Sequence, residues 1–205
     1  MWYANRWLLP MLEVYQSHPA IKEILIINNR NAYNLELLKE FDKVRVLGNG
    51  ENMYVNPAWN LGVAEAKEER ILIINDDIII SEFKLVMWLL ENKLKPGMII
   101  GFHKDSFSKL KIEKLELLKP PAKYIPYGFG VFMALYKKDY LVIPNEIKIW
   151  GGDTLQFTIG NPYLIHGISV NTKMRWTSRR LDTRAYRVLD AVYYKKHIKQ
   201  LANAE

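Results

Sequence analysis

The chain has 205 residues, 49% of them hydrophobic, and no cysteine. That suits one globular domain with a sizeable core and excludes a disulfide framework and any thiolate metal site. A formal net charge of +7 points to an anionic partner, a nucleotide, a nucleic acid or an acidic lipid surface. No run approaches ~18 apolar residues without charge, so no membrane-spanning helix is expected, and Met1–Tyr15 lacks a signal-peptide pattern, so the expected location is the cytoplasm.

In chain order, Leu8, Met11, Leu12 and Tyr15 have helical spacing and predict a helix over 7–16, ended by Ser17-His18-Pro19. Ile21–Ile27 reads as a strand, with the polar loop Asn28-Asn29-Arg30-Asn31 at its carboxyl end. A short helix over 34–41 and a strand over 43–47 complete a βαβ unit. Asn56-Pro57 is a helix start, with asparagine as the expected cap and proline in the first turn, leading to a helix that reaches about Lys67.

The segment Arg70–Ile80 is Arg-Ile-Leu-Ile-Ile-Asn-Asp-Asp-Ile-Ile-Ile. Its apolar run predicts a strand buried on both faces that ends in Asn75-Asp76-Asp77. Ser81 is the expected cap of a helix over 82–93. A strand over 98–102 follows, then the charged excursion 104–119, a strand over 131–136, Trp150-Gly151-Gly152-Asp153 before a short helix, and a strand over 163–170. Residues 182–201 have helical spacing, and the excess positive charge is concentrated in the C-terminal stretch from Lys173 to Lys199. Strands alternating with helices predict an α/β fold: a mostly parallel central sheet flanked by helices.

Several common chemistries find no support. Gly48-Asn49-Gly50 and Gly128-Phe129-Gly130 lack the third glycine of a dinucleotide fingerprint, and there is no P-loop and no Gly-x-Ser-x-Gly elbow. His18, His103, His166 and His197 show no metal-ligand spacing among themselves. What survives is four polar clusters at or near strand ends: Asn28 to Asn31, Asn56 to Asn60, Asn75 to Asp77, and Trp150 to Asp153. In a parallel sheet such ends lie along one edge, where α/β folds bind ligands. One carboxylate there, joined by ligand phosphates and water, is the usual way to hold Mg²⁺ or Mn²⁺.

The order of Ile24-Leu25-Ile26-Ile27-Asn28-Asn29, Asn56-Pro57-Ala58-Trp59-Asn60-Leu61-Gly62, Leu72-Ile73-Ile74-Asn75-Asp76-Asp77 and Gly151-Gly152-Asp153 resembles the nucleotide-sugar glycosyltransferases of the GT-A fold, closest to family 2, over roughly residues 5 to 170. Met1 to Arg6 is similar to the first loop of some virus- and phage-encoded members.

The resemblance implies a Rossmann-like nucleotide-sugar-binding half (1–97) and an acceptor-binding half (98–205) of a single domain. It implies Mn²⁺ or Mg²⁺ on Asp77, in a variant Asp-x-Asp motif, with His166 completing the site, and Asn75 or Asp76 near the ribose. Asn28, where the family carries an aspartate, would read the base, with Asn29, Arg30, Asn56 and Asn60 lining the nucleotide pocket. Asp153 would be the catalytic base of an inverting transfer, with Trp150, Gly151 and Gly152 at the acceptor, a glycan or glycoprotein. The implied donor is a UDP-, GDP- or dTDP-linked sugar, and nucleic acid is not the expected partner.

Three departures stand out: the strand that usually precedes the first loop is reduced to Met1–Tyr3, asparagines replace aspartates at 28 and 75, and the usual acidic pair becomes Gly152-Asp153. The short start leaves room for further domains of a longer polypeptide. Plainer roles compete at each position: Asp153 as a helix cap, Trp150 as core, His166 as a buried structural histidine, and Arg175, Arg179 and Arg180 as a solvated face rather than a phosphate clamp. The competing functions are a sugar-phosphate nucleotidyltransferase and a non-catalytic module that binds nucleic acid or a membrane surface.

Overall fold

The computed structural model describes residues 8–30, 34–108, 114–172 and 181–202. The opening segment Met1–Arg6, Asn31, and the cations Lys173, Arg175, Arg179 and Arg180 lie outside them.

Helix α1 (Leu8–Ser17) buries Leu8, Met11, Leu12 and Tyr15, the i, i+3, i+4, i+7 stripe of its sequence. Strand β1 (Ile24–Ile27) pairs in parallel with β2 (Val44–Leu47) across a crossover whose described residues include the 3₁₀ turn Leu35–Leu38, capped by the Asn34 side chain. Leu8 and Leu12 close over this unit with Ile26, Leu38 and Phe41. Helix α2 (Val55–Glu65) leads to β3 (Arg70–Ile74).

The expected mostly parallel sheet is not what forms. β3, β5 (Ile99–Phe102), β6 (Glu116–Leu118), β7 (Phe132–Tyr136) and β8 (Pro162–His166) make a mixed five-stranded sheet in the order β3-β7-β5-β8-β6. Only β5 and β8 are parallel neighbours in it; β7 runs antiparallel to both β3 and β5. β1 and β2 form their own small sheet instead of joining it. The sequence signal was misleading for a physical reason. Burial on both faces marks a strand covered by layers on both sides, and β7 is so covered although its neighbours are antiparallel.

The segment read as one strand leading into a helix also divides. Asn75–Asp77 is a turn, and Ile78–Ile80 is a separate strand, β4, antiparallel to β9 (Val170–Thr172). Helix α3 (Phe83–Lys93) starts after Glu82, with no side-chain cap. Ser81, the expected cap, instead donates from both its N–H and its hydroxyl to the Ser169 carbonyl, fastening β4 to the turn before β9.

Alternation along the strands sorts two cores. Phe132, Ala134, Ile100 and Phe102 face Phe83, Val86, Met87 and Leu90 of α3, together with Tyr15. Ile71, Ile73, Met133, Leu135 and Ile99 face the opposite way, toward Val63 of α2, Leu155 of α4 (Gly152–Ile159) and Ile143 and Ile147 of the preceding loop. Each fully buried side chain of this kind contributes about 1.5–3 kcal/mol. Helix α5 (Leu181–Ala202) packs on this second side through Tyr193, Tyr194 and Ile198.

Candidate functional site

β3 and β5 are each antiparallel to β7, and β8 is parallel to β5, so the carboxyl ends of β3, β5 and β8 share one edge. Along that edge lie the Asn75–Asp77 turn, the segment from His103 to Asp105, His166, and the lead into β7 at Gly128–Val131. Of the four polar clusters expected to converge, Asn75–Asp77 is the one that lies on this edge itself, since Asn28 follows a strand of the separate two-stranded sheet and Asn56 and Asn60 lie in a helix.

Two hydrogen bonds join the acidic turn to Asp153. Asn75 N–H donates to the Val131 carbonyl at 3.0 Å, and Gly130 N–H donates to Asp153 Oδ2 at 3.3 Å. Gly130 has to be glycine: a Cβ there would lie 2.8 Å from both Asp153 Cβ and Trp59 Cη2. Asp76 and Asp77 are half-buried.

Asp153 is not the helix cap. Gly151 takes that position with φ of 86°, and Asp153 is the second residue of α4, its Oδ1 accepting the Thr154 N–H at 2.8 Å. Burial pushes its carboxyl above the ordinary carboxylate value, against the opposing pull of the backbone N–H groups of Thr154, Gly130 and Asp153 itself. The glycines before it have steric reasons. At Gly151 the left-handed backbone disfavours a side chain, and the Tyr194 ring packs where one would go. A Cβ on Gly152 would collide with Asn56 Oδ1. Trp150 is half-buried, with its indole Nε1 buried and lacking a hydrogen-bond partner among the described residues.

The asparagines expected at a nucleotide hold the scaffold. Asn29 donates from Nδ2 to the Tyr54 carbonyl and accepts the Met53 N–H at Oδ1, which spans the gap from β1 to α2. Asn28 is buried; its side chain accepts the Arg30 N–H, and its carbonyl accepts the Gly50 N–H. Arg30 is exposed at the rim of this loop.

Asn56 is inside α2, not its cap, because the helix begins one residue earlier at Val55. Its Nδ2 donates to the Ile147 carbonyl, and its Oδ1 is buried without a partner among the described residues. One turn on, Asn60 uses its whole amide: Oδ1 accepts from the Tyr140 hydroxyl and Ile143 N–H, and Nδ2 donates to the Ile143 carbonyl. Both asparagines fasten α2 to the loop that leads into Trp150–Asp153.

Two positioning features were not anticipated. Asp190 of α5 is fully buried and accepts the backbone N–H groups of Lys148, Ile149 and Trp150 at 3.0, 2.8 and 2.7 Å. The signal in the sequence was an acid in the middle of an otherwise basic and aromatic stretch of helix, eight residues after Asp182 at its start, where aspartate is a poor helix former and needs a reason. Tyr54 precedes α2 at φ of 68°, a strained conformation for an aromatic residue. Its ring packs on Tyr186 with centroids 4.7 Å apart, and the two hydroxyls are 2.6 Å apart. The described α5 cations Arg184, Arg187, Lys195 and Lys196 are exposed.

His166 is grouped with His103 and Asp105, and Asp77 is not a member of that group. His103 Nδ1 is 3.3 Å and His166 Nε2 3.9 Å from Asp105 Oδ2, with the rings edge to face. Burial pushes His103 below the ordinary imidazole value; Asp105 opposes the shift, and His166 and Lys104 add to it.

A scan of protein-family models and a search of curated proteins each return no match. Among solved structures, the chain is similar to a crystal structure of GalNAc-T7 with UDP, GalNAc and Mn²⁺, at 14% identity and a TM-score of 0.49. The alignment covers 74% of this chain and 37% of that one, so this chain spans little more than a third of that protein's length.

Proposed function

We propose that the protein transfers a sugar from a nucleoside-diphosphate donor to an acceptor hydroxyl, with the donor bound at the Asn75–Asp77 edge and Asp153 as the base. The observation that carries this reading is the two-bond link Asn75–Val131 and Gly130–Asp153, which ties the turn bearing the half-buried Asp76 and Asp77 to the Asp153 carboxylate.

Asp153 is suited to take a proton. Its raised pKa makes the carboxylate a stronger base than a solvated one, and the Gly130 and Thr154 N–H groups fix its orientation. As the acceptor oxygen bonds to the anomeric carbon, its proton passes to Asp153 and the bond from that carbon to the diphosphate oxygen breaks. Attack from the face opposite the leaving group inverts the anomeric centre.

The residues of the acidic turn fit a hard divalent cation. Asp77 offers carboxylate oxygen, with Asp76 beside it, and Thr172, whose Oγ1 is buried without a partner among the described residues, pairs with Ile78 next to Asp77. A divalent cation held there, Mn²⁺ or Mg²⁺, would supply charge neutralisation for the departing diphosphate. Trp150 and Trp59, both half-buried on the Asp153 side, are the candidate stacking surfaces for an acceptor sugar. The nucleotide-binding and acceptor-binding halves divide near residue 97 in this reading.

Incubating the chain with a panel of UDP-, GDP- and dTDP-sugars and Mn²⁺ tests the activity. Release of nucleoside diphosphate from at least one donor, abolished by chelation, is the expected result. No release from any donor, with or without simple glycoside acceptors, would count against the proposal.

A further inference from the structure

We propose that His103, Asp105 and His166 form a second cation site, selective for a zinc-class transition metal and separate from the Asp77 turn. The three residues come from the ends of two parallel neighbours: His103 follows β5, Asp105 lies in the 3₁₀ turn just beyond it, and His166 ends β8. All three are half-buried, and their ligand atoms lie within 4.8 Å of one another.

The donor set is that of a borderline cation. Two imidazoles and one carboxylate match three-ligand zinc sites, whereas Mg²⁺ and Ca²⁺ prefer oxygen. Metal–ligand bonds of about 2.0–2.1 Å in a tetrahedron put ligand atoms about 3.3 Å apart. The His103 Nδ1 to Asp105 Oδ2 separation already has that value, and His166 Nε2, now 3.9 Å from the same oxygen, has to close in by about 0.6 Å.

His103 Nδ1 accepts the Asp105 N–H at 3.3 Å and lies 3.3 Å from the Asp105 carboxylate oxygen, so its lone pair is held by the turn beside that oxygen. A cation bound between them would take over the imidazole lone pair from the Asp105 N–H and neutralise the carboxylate. The Tyr124 ring packs 5.5 Å from the His103 ring, and its hydroxyl accepts the Lys104 N–H, which steadies the turn from outside. Three protein ligands leave at least one position open. Since the 104–107 turn packs against β9, which pairs with β4 beside Asp77, a cation here would brace the outer wall of the same edge.

The test uses the full chain without a polyhistidine tag and without nucleotide, so its outcome does not depend on any transferase activity. Titration with Co²⁺, followed by its visible d–d absorption, is expected to saturate at one ion per chain, and Zn²⁺ is expected to displace it and raise the melting temperature. His166→Gln and His103→Gln should each weaken Co²⁺ binding at least tenfold, while Asp77→Asn leaves it unchanged. Circular dichroism of each metal-free variant checks its fold, with Asp105→Asn replacing any that is unfolded. Absence of a Co²⁺ spectrum in the wild type, equal binding by the histidine variants, or loss of binding in Asp77→Asn would each overturn the assignment.

Discussion

At Asp153 the chemistry and the stability of the protein pull in opposite directions. Burial raises the carboxyl's pKa in the folded state, so the native protein holds that proton more tightly than the unfolded chain does. Stability from this group is therefore full below the unfolded value of about 3.9 and declines as pH rises toward the folded value, above which the ionised group is a fixed cost. Asp153→Asn removes the ionisation while keeping the shape. It should melt higher than wild type near neutral pH, with the gap closing below about pH 4, and it should lose transfer by about 10²-fold or more. Thermal melts across pH check the first expectation and steady-state turnover the second. A variant that is less stable at neutral pH, or equally active, would contradict the role given to this carboxylate. Asn60 belongs at this scale too. Its three hydrogen bonds make Asn60→Ala expected to cost about 2–3 kcal/mol in denaturant unfolding, since buried partners on the 140–143 loop lose their mates.

Among the elements, α5 is the one whose role the sequence hid most. Its basic face was legible and is exposed, but the working contact is a single acid, Asp190, that receives three N–H groups from the loop before α4. That loop sets where Trp150 and Asp153 stand. Asp190→Ala should cost about 3 kcal/mol or more, because three buried donors are left unpaired, and hydrogen exchange should quicken at 148–150 before it does in β5 or β7. Unchanged protection there would show that α5 does not order the loop.

The same scale shows why other local expectations moved. α1, β1, β2, β3 and α4 were legible because their apolar periodicity and glycines are local facts. The caps were not. Asn56 and Ser81 have the chemistry of caps, yet partners distant in sequence, Ile147 and Ser169, claim their side chains. A long-range hydrogen bond leaves no trace in a window of ten residues.

For the molecule as a whole, strand direction was the part that could not be read. Which strand enters between β3 and β5 depends on the path of the chain after residue 119, and β7 arrives antiparallel through the turn at Gly128–Val131. The consequence for function is mild, because reversing β7 brings its amino end, and with it Gly130, to the edge where β3 ends. The polar clusters at Asn75–Asp77 and Trp150–Asp153 are tied together through Gly130 and Val131, while those at Asn28 and Asn56–Asn60 serve the scaffold and His166 joins a different group. Everything proposed about catalysis depends on that edge gripping a diphosphate through a cation. Calorimetric titration of the chain with UDP, GDP and dTDP, with and without Mn²⁺, measures this directly. Binding of at least one nucleotide that needs Mn²⁺ and is lost in Asp77→Asn but kept in Asp153→Asn is the expected result; absence of heat for all three at millimolar ligand, or binding indifferent to both Mn²⁺ and Asp77, would contradict it.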